Sequence, residues 1–173
     1  MWQDEPLVSI IFIVMSSRND ALLRRRIARI LERIPNASSQ MVRQRLMMSV
    51  KPAQFYVHLI PFYEQQRIDD RADITKALAR MMAMHLGLSV IARTLTSRCY
   101  NHRQVEAALL EVTANFDHLE QARRCKEAAF GVEPPRDANH QSQMVMHLQK
   151  QGHRLPDIWQ VLRQEEQRQR TPR

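Results

Sequence analysis

The sequence predicts an all-α protein, built as tandem three-helix, helix-turn-helix-like repeats in an elongated, curved array. Three observations predict it. Glycine is scarce, with three residues in 173, and β-branched runs stop after the first fifteen positions, which leaves little material for hairpins. Apolar residues then recur at helical spacing: Val105, Ala108, Leu109 and Val112 form one stripe, matched in part by Ile158, Val161 and Leu162. Finally, Leu46, Leu95 and Leu148 stand 49 and 53 residues apart, each closing a short helix ahead of an amphipathic one that opens near Ala53, Arg103 and Pro156. Units of this size bury their apolar faces only against neighbours, which gives a scaffold suited to binding rather than chemistry.

Residues 1–20 are set apart as an N-terminal extension. The apolar run Leu7 to Met15 is nine residues long, too short to span a bilayer, and it follows Asp4 and Glu5 where a signal peptide carries positive charge. It is read as a peripheral strand or helix, or as an upstream start outside the fold. Module 1, residues 21–68, opens with Asp20 as N-cap. Ile27, Ile30, Leu31 and Ile34 line its first helix until Pro35 stops it. Ser38 or Ser39 caps the next helix, and Pro52 begins a third with Phe55, Leu59, Phe62 and Tyr63 inward and a kink at Pro61.

Module 2, residues 69–115, opens at Asp69 and Asp70, whose carboxylates suit the free amides and positive dipole end of a helix. Ile74, Ala77, Leu78, Met81, Met82 and His85 supply its stripe, and Gly87 ends it. Ile91 and Leu95 face inward from a shorter helix before Asn101 or His102 starts the third. Module 3, residues 116–166, begins with Asp117 and Glu120 at capping-box spacing and carries Leu119, Ala122, Cys125 and Ala129 inward to Gly131. After Pro134 and Pro135, Asp137 caps a helix with Met144, Val145 and Leu148. Gly152 ends that helix, and the last one carries Ile158, Trp159, Val161 and Leu162, with Trp159 as a core or module-junction anchor, before a frayed tail, residues 167–173.

The formal charge is +8, and 22 of the 26 basic residues are arginine, whose fork suits phosphate or carboxylate. The charge is concentrated: Arg24, Arg25, Arg26, Arg29, Arg33, Arg43 and Arg45 face only Glu32 between residues 24 and 45. Arg24, Arg25, Arg29, Arg33, Arg43 and Arg45 are the candidate partner-binding residues, and each phosphate they neutralise makes binding more salt dependent.

Catalytic chemistry has weaker footing. Asp69, Asp70 and Asp73 form the one compact carboxylate cluster, but helix capping explains them more simply than a cation site. The glycines are isolated, so no phosphate loop is legible. His140 and His147, seven apart, lack further metal ligands. Cys99 and Cys125 have neither a paired thiol nor an evident base, which fits a reducing cytoplasm and buried packing. The methionines, among them Met41, Met47, Met48, Met81, Met82, Met84, Met144 and Met146, suit core filling better than an adaptable peptide surface. Base stacking by Phe55, Tyr56 or Tyr100 has no motif to select it. No enzyme activity, cofactor or metal is expected.

Several stretches also resemble a known family. Arg29, Ile30, Leu31 and Arg33, then Ser39 and MVRQRL from Met41 to Leu46, resemble the opening of the RecX family of RecA regulatory proteins. EQQRIDD (Glu64 to Asp70), QVEAAL (Gln104 to Leu109), Phe130-Gly131 with Pro134-Pro135, and Leu148 to Leu162 match later landmarks in order, so the resemblance covers roughly residues 24–163. It is carried by order and spacing, since each piece alone is common. It implies three tandem trihelical modules and modulation of the RecA recombinase by binding its filament on single-stranded DNA, as a divergent member. Where the family has a basic, glycine-containing junction, Met84 to Ser89 keeps Gly87 but offers only His85 as a charge. The alternative is a standalone helix-turn-helix-like protein that reads single-stranded or duplex DNA with the Ser39 to Leu46 helix.

Overall fold

The computed structural model describes the backbone of residues 5–47 and 52–170, so Met48 and the last three residues of the expected tail lie outside it. The described residues form nine α-helices and no strand: α1 (Glu5–Arg33), α2 (Ser39–Arg45), α3 (Pro52–Glu64), α4 (Arg71–Ala83), α5 (Leu88–Thr96), α6 (His102–Ala114), α7 (His118–Phe130), α8 (Ala138–Lys150) and α9 (Leu155–Arg170). The protein is all-α.

The first expected cap is replaced by a longer helix. Asp20 lies inside α1, with its carboxylate 3.9 Å from the His58 ring nitrogen, because neither glycine nor proline occurs between Leu7 and Ile34 to interrupt propagation. The boundary drawn at residue 20 therefore crosses a continuous helix, and Leu7 to Met15 belong to it. Pro35 does stop α1, and Asn36 turns the chain with φ +56°. Ser38 caps α2 by accepting from the Met41 amide at 3.2 Å. Pro52 begins α3, and Pro61 sits within it. Asp117 and Asp137 cap α7 and α8 as their spacing predicts, accepting from the amides of Glu120 at 2.9 Å and His140 at 2.7 Å. At the far end, α9 runs on to Arg170, so the first four residues of the expected frayed tail are helical.

The chain divides into two compact units. One comprises the residues up to Arg71 with Ser97–Asn101; the other comprises Ala72–Thr96 with the residues from His102 onward. In the first, α1 packs on α2 and α3 around Ile27, Leu31, Val42, Phe55, Leu59 and Cys99. Arg67 closes this core by donating to the Ala28 carbonyl at 3.3 Å while its guanidinium lies over Phe62. In the second, α7, α8 and α9 pack on one another around Cys125, Met144, Leu148, Ile158 and Leu162. Each large side chain so buried contributes about 1.5–3 kcal/mol relative to exposure.

Leu46, Leu95 and Leu148 are all buried. Leu148, however, lies in a helix of 13 residues rather than a short one. The α6 stripe is shallower than its spacing suggests: Val105 is buried, whereas Ala108, Leu109 and Val112 are half-buried. Ala129 is exposed at the end of α7. Trp159 is not a core anchor; it is 38% exposed, because Ile158, Val161 and Leu162 define the inward face of α9 and the next residue around the helix points away.

Gly87 has a role other than the expected one. His85, with φ +54°, makes the turn after α4, while the Gly87 amide donates to the Gln151 carbonyl at 2.9 Å. A Cβ on Gly87 would fall onto the Gly152 carbonyl, and one on Gly152 would come within 2.6 Å of the Val90 side chain. Ser89 Oγ donates to the Gly152 carbonyl at 2.8 Å, and the ring of His153 to the His85 carbonyl at 2.9 Å. Within this unit, the α4–α5 turn and the α8–α9 turn therefore meet backbone to backbone.

Candidate basic interface

The apolar stripe of α1 decides where its arginines point. With Ile27 and Leu31 in the core, a rotation of about 100° per residue places Arg25, Arg29 and Arg33 in one row on the opposite face, with Arg26 beside them. Arg24 lies off that row on the flank. All five are exposed, as is Arg45 on α2. No ion pair among the described residues engages any of these six arginines. Five arginines against Glu32 on this stretch of α1 make an outward positive field able to hold phosphate or carboxylate.

Arg43 departs from the expected set. It is half-buried, its Nε is shielded from solvent, and its positive charge acts on Cys99 in the interior. Asp70 acts on the same thiol. This carboxylate is fully buried and accepts from the Ser39 amide at 2.7 Å, the Tyr63 hydroxyl at 2.5 Å and the Asn101 amide at 2.8 Å. It thus joins α2, α3 and the Ser97–Asn101 segment from its place just before α4; Asp69 accepts from the Arg71 amide at 3.1 Å. The Asp70 knot fixes α2 against α3 and the Ser97–Asn101 segment, and on α2 Arg45 is exposed while Arg43 is half-buried.

The same knot suppresses reactive chemistry. Burial, reinforced by the Asp70 charge, holds the Tyr63 phenol far above its ordinary pKa. Burial also raises the Cys99 thiol, against opposing pulls from the Ser39 hydroxyl and Arg43. Cys125 is pushed up to about 11 by burial alone. Both cysteines are therefore thiols near neutral pH and poor nucleophiles. His140 and His147 each meet the Phe130 ring edge-on, with centroids 5.9 Å and 5.3 Å away. Among the described residues no group of three or more His, Cys, Asp or Glu side chains is placed to hold a metal ion. Nor is any described helix long and apolar enough to cross a membrane.

Three features escaped sequence reasoning. Asp70 has no sequence mark that separates it from a cap. Lys126 and Glu165, 0% and 6% exposed, form a 2.6 Å ion pair between α7 and α9, with Lys126 also donating to the Glu133 carbonyl at 2.6 Å. A signal for this pair existed: Lys126 continues the Ala122 stripe and Glu165 continues that of Ile158, Val161 and Leu162. The exposure of Trp159 is the third. In comparisons with known proteins, no family model and no curated protein matches this sequence.

Proposed function

We propose that the protein is a RecX-like regulator that binds RecA filaments on single-stranded DNA and modulates the recombinase, with the α1 arginines as its electrostatic contacts. The observation that carries this reading is the exposed row Arg25, Arg29 and Arg33, flanked by Arg24, Arg26 and Arg45, none of which joins an ion pair among the described residues and which together outnumber Glu32 on the same helix. The order of sequence landmarks, which resembles that of the RecX family, supports RecA as the partner.

Cosedimentation with RecA filaments, alongside RecA-dependent ATP hydrolysis and strand exchange, tests the proposal. The wild-type chain is expected to pellet with the filament and change both rates. Combined Arg25→Glu, Arg29→Glu and Arg33→Glu substitutions are expected to weaken pelleting at least tenfold while the helical circular dichroism stays unchanged. Absence of pelleting and of any rate change at saturating protein overturns the reading. A sequence-preferring shift of duplex DNA without RecA replaces it with the standalone DNA-binding alternative.

A further inference from the structure

Helix α9 carries two unlike faces. Its inner face is fully used: Ile158, Val161 and Leu162 are buried, and Glu165 extends that stripe to meet Lys126. On the other side, Pro156, Trp159, Gln160, Arg163, Gln164 and Gln167 line one shallow depression of about 500 Å³. The indole is 38% exposed on a helix whose core stripe does not need it. Arg163 is exposed and joins no ion pair among the described residues. The described carboxylates of the helix are already engaged: Asp157 by Arg154 through bonds of 2.7 Å and 3.2 Å, and Glu165 by Lys126 at 2.6 Å. The face thus offers a flat aromatic ring, an exposed guanidinium in no ion pair among the described residues, and side-chain amides that donate and accept.

We propose that this outer face of α9 binds single-stranded nucleic acid, with Trp159 stacking on an unpaired base, Arg163 on an adjacent phosphate, and Gln160 and Gln164 within reach of base edges. The positive charge selects an anion. An indole rewards a ligand with a flat ring, and amides reward one with mixed donors and acceptors. Unpaired nucleotides combine all three, whereas a duplex hides its ring faces in the stack. A helical peptide would need several apolar anchors along the face; here Trp159 has only Leu155, 44% exposed, one turn before it. This surface belongs to the second unit and is independent of the α1 arginines.

The test uses the full chain in an Arg25→Glu, Arg29→Glu, Arg33→Glu background, which removes the contribution of α1 to nucleic-acid binding. Fluorescein-labelled oligothymidylate of fifteen nucleotides is titrated by anisotropy at low salt, with Trp159→Ala, Trp159→Phe and Arg163→Gln as variants. Trp159→Ala is expected to weaken binding about tenfold. Trp159→Phe, which keeps a stacking ring, is expected to stay within about threefold of the parent. Arg163→Gln is expected to lower the salt slope by about one phosphate contact. In a chain carrying Trp2→Phe, emission from Trp159 is expected to be quenched by the same oligonucleotide.

Equal affinity of the alanine and phenylalanine variants overturns stacking, and so does unquenched Trp159 emission. Equal quenching by duplex DNA or by inorganic phosphate shows an electrostatic contact alone and also overturns the proposal. Quenching by polyglutamate but not by the oligonucleotide assigns the face to an acidic protein instead. Since RecA cosedimentation is measured on the wild-type chain and this binding in the charge-reversed one, either reading can fail while the other stands.

Discussion

The two units solve the same problem, holding short helices in register, with different buried polar groups. In the first, a single carboxylate, Asp70, collects neutral donors from Ser39, Tyr63 and Asn101. In the second, a cation meets an anion, Lys126 with Glu165, and two turns touch through Gly87 and Gly152. The difference teaches that burying charge is tolerated in two ways: by surrounding an ion with dipoles, or by pairing it with its opposite. The first arrangement depends on the positions of several backbone amides at once. The second depends chiefly on two side chains and can be replaced as a pair.

The largest effect is expected from splitting the ion pair. Lys126→Met leaves Glu165 charged and buried, at a cost of about 3–5 kcal/mol in urea unfolding, whereas the double change with Glu165→Leu restores most of the loss. If the double variant is as unstable as the single, Lys126 acts through its bond to the Glu133 carbonyl rather than through Glu165. Asp70→Asn is next. It removes the charge that the three donors face and turns an NH2 group toward at least one of them, costing about 3 kcal/mol. Hydrogen exchange separates the two cases: Asp70→Asn should speed exchange in α2 and α3, and Lys126→Met in α7 and α9. Uniform acceleration in both variants would erase the distinction between the units.

Gly87→Ala should cost about 2 kcal/mol, because the added methyl meets the Gly152 backbone, which has no flexible end to yield. Gly131→Ala is a control of another kind. No atom stands in the way of a Cβ there, so its penalty comes only from the backbone, φ +81° with ψ −174°, and is expected at about 1–3 kcal/mol.

The smallest effect is a pH dependence confined to the second unit. The His153 ring donates to the His85 carbonyl and is held below its ordinary pKa of 6.5, chiefly by burial. The nearby charges of His118 and His147 act in the same direction, while the His85 carbonyl and Asp157 oppose them. Since the unfolded chain binds the proton more readily than the folded one, stability is full above pH about 6.5 and falls as the pH drops below it. The slope is at most about 1.4 kcal/mol per pH unit. His153→Gln should flatten that part of the stability curve. A wild-type curve that is level between pH 7 and pH 5 would show that the ring carries the same proton affinity folded and unfolded.

Much of the architecture was legible because it rests on local rules. The caps at Ser38, Asp117 and Asp137, the stop at Pro35 and the start at Pro52 each depend on residues within four positions, where hydrogen-bonding reach and proline geometry leave few choices. Asp20 misled because a good capping residue is also tolerated inside a helix when no breaker precedes it. The arginine row was half legible: composition located the charge, and helical periodicity separates Arg25, Arg29 and Arg33 from Arg24. Arg43 could not be sorted this way, since the Cys99 thiol on which its charge acts lies 56 residues later in the chain.

The amino-acid order alone determined that this protein is helical, where most helices start and stop, and that its positive charge gathers near residues 24–45, because backbone propensity and charge content are properties of short windows. Only the tertiary structure decided that Asp70 ties α2, α3 and the Ser97–Asn101 segment together, that Lys126 and Glu165 meet in the interior, and that Gly87 makes room for Gly152. Each of those outcomes joins residues distant in the chain, and burial or pairing at such range depends on which faces the packed helices present to one another.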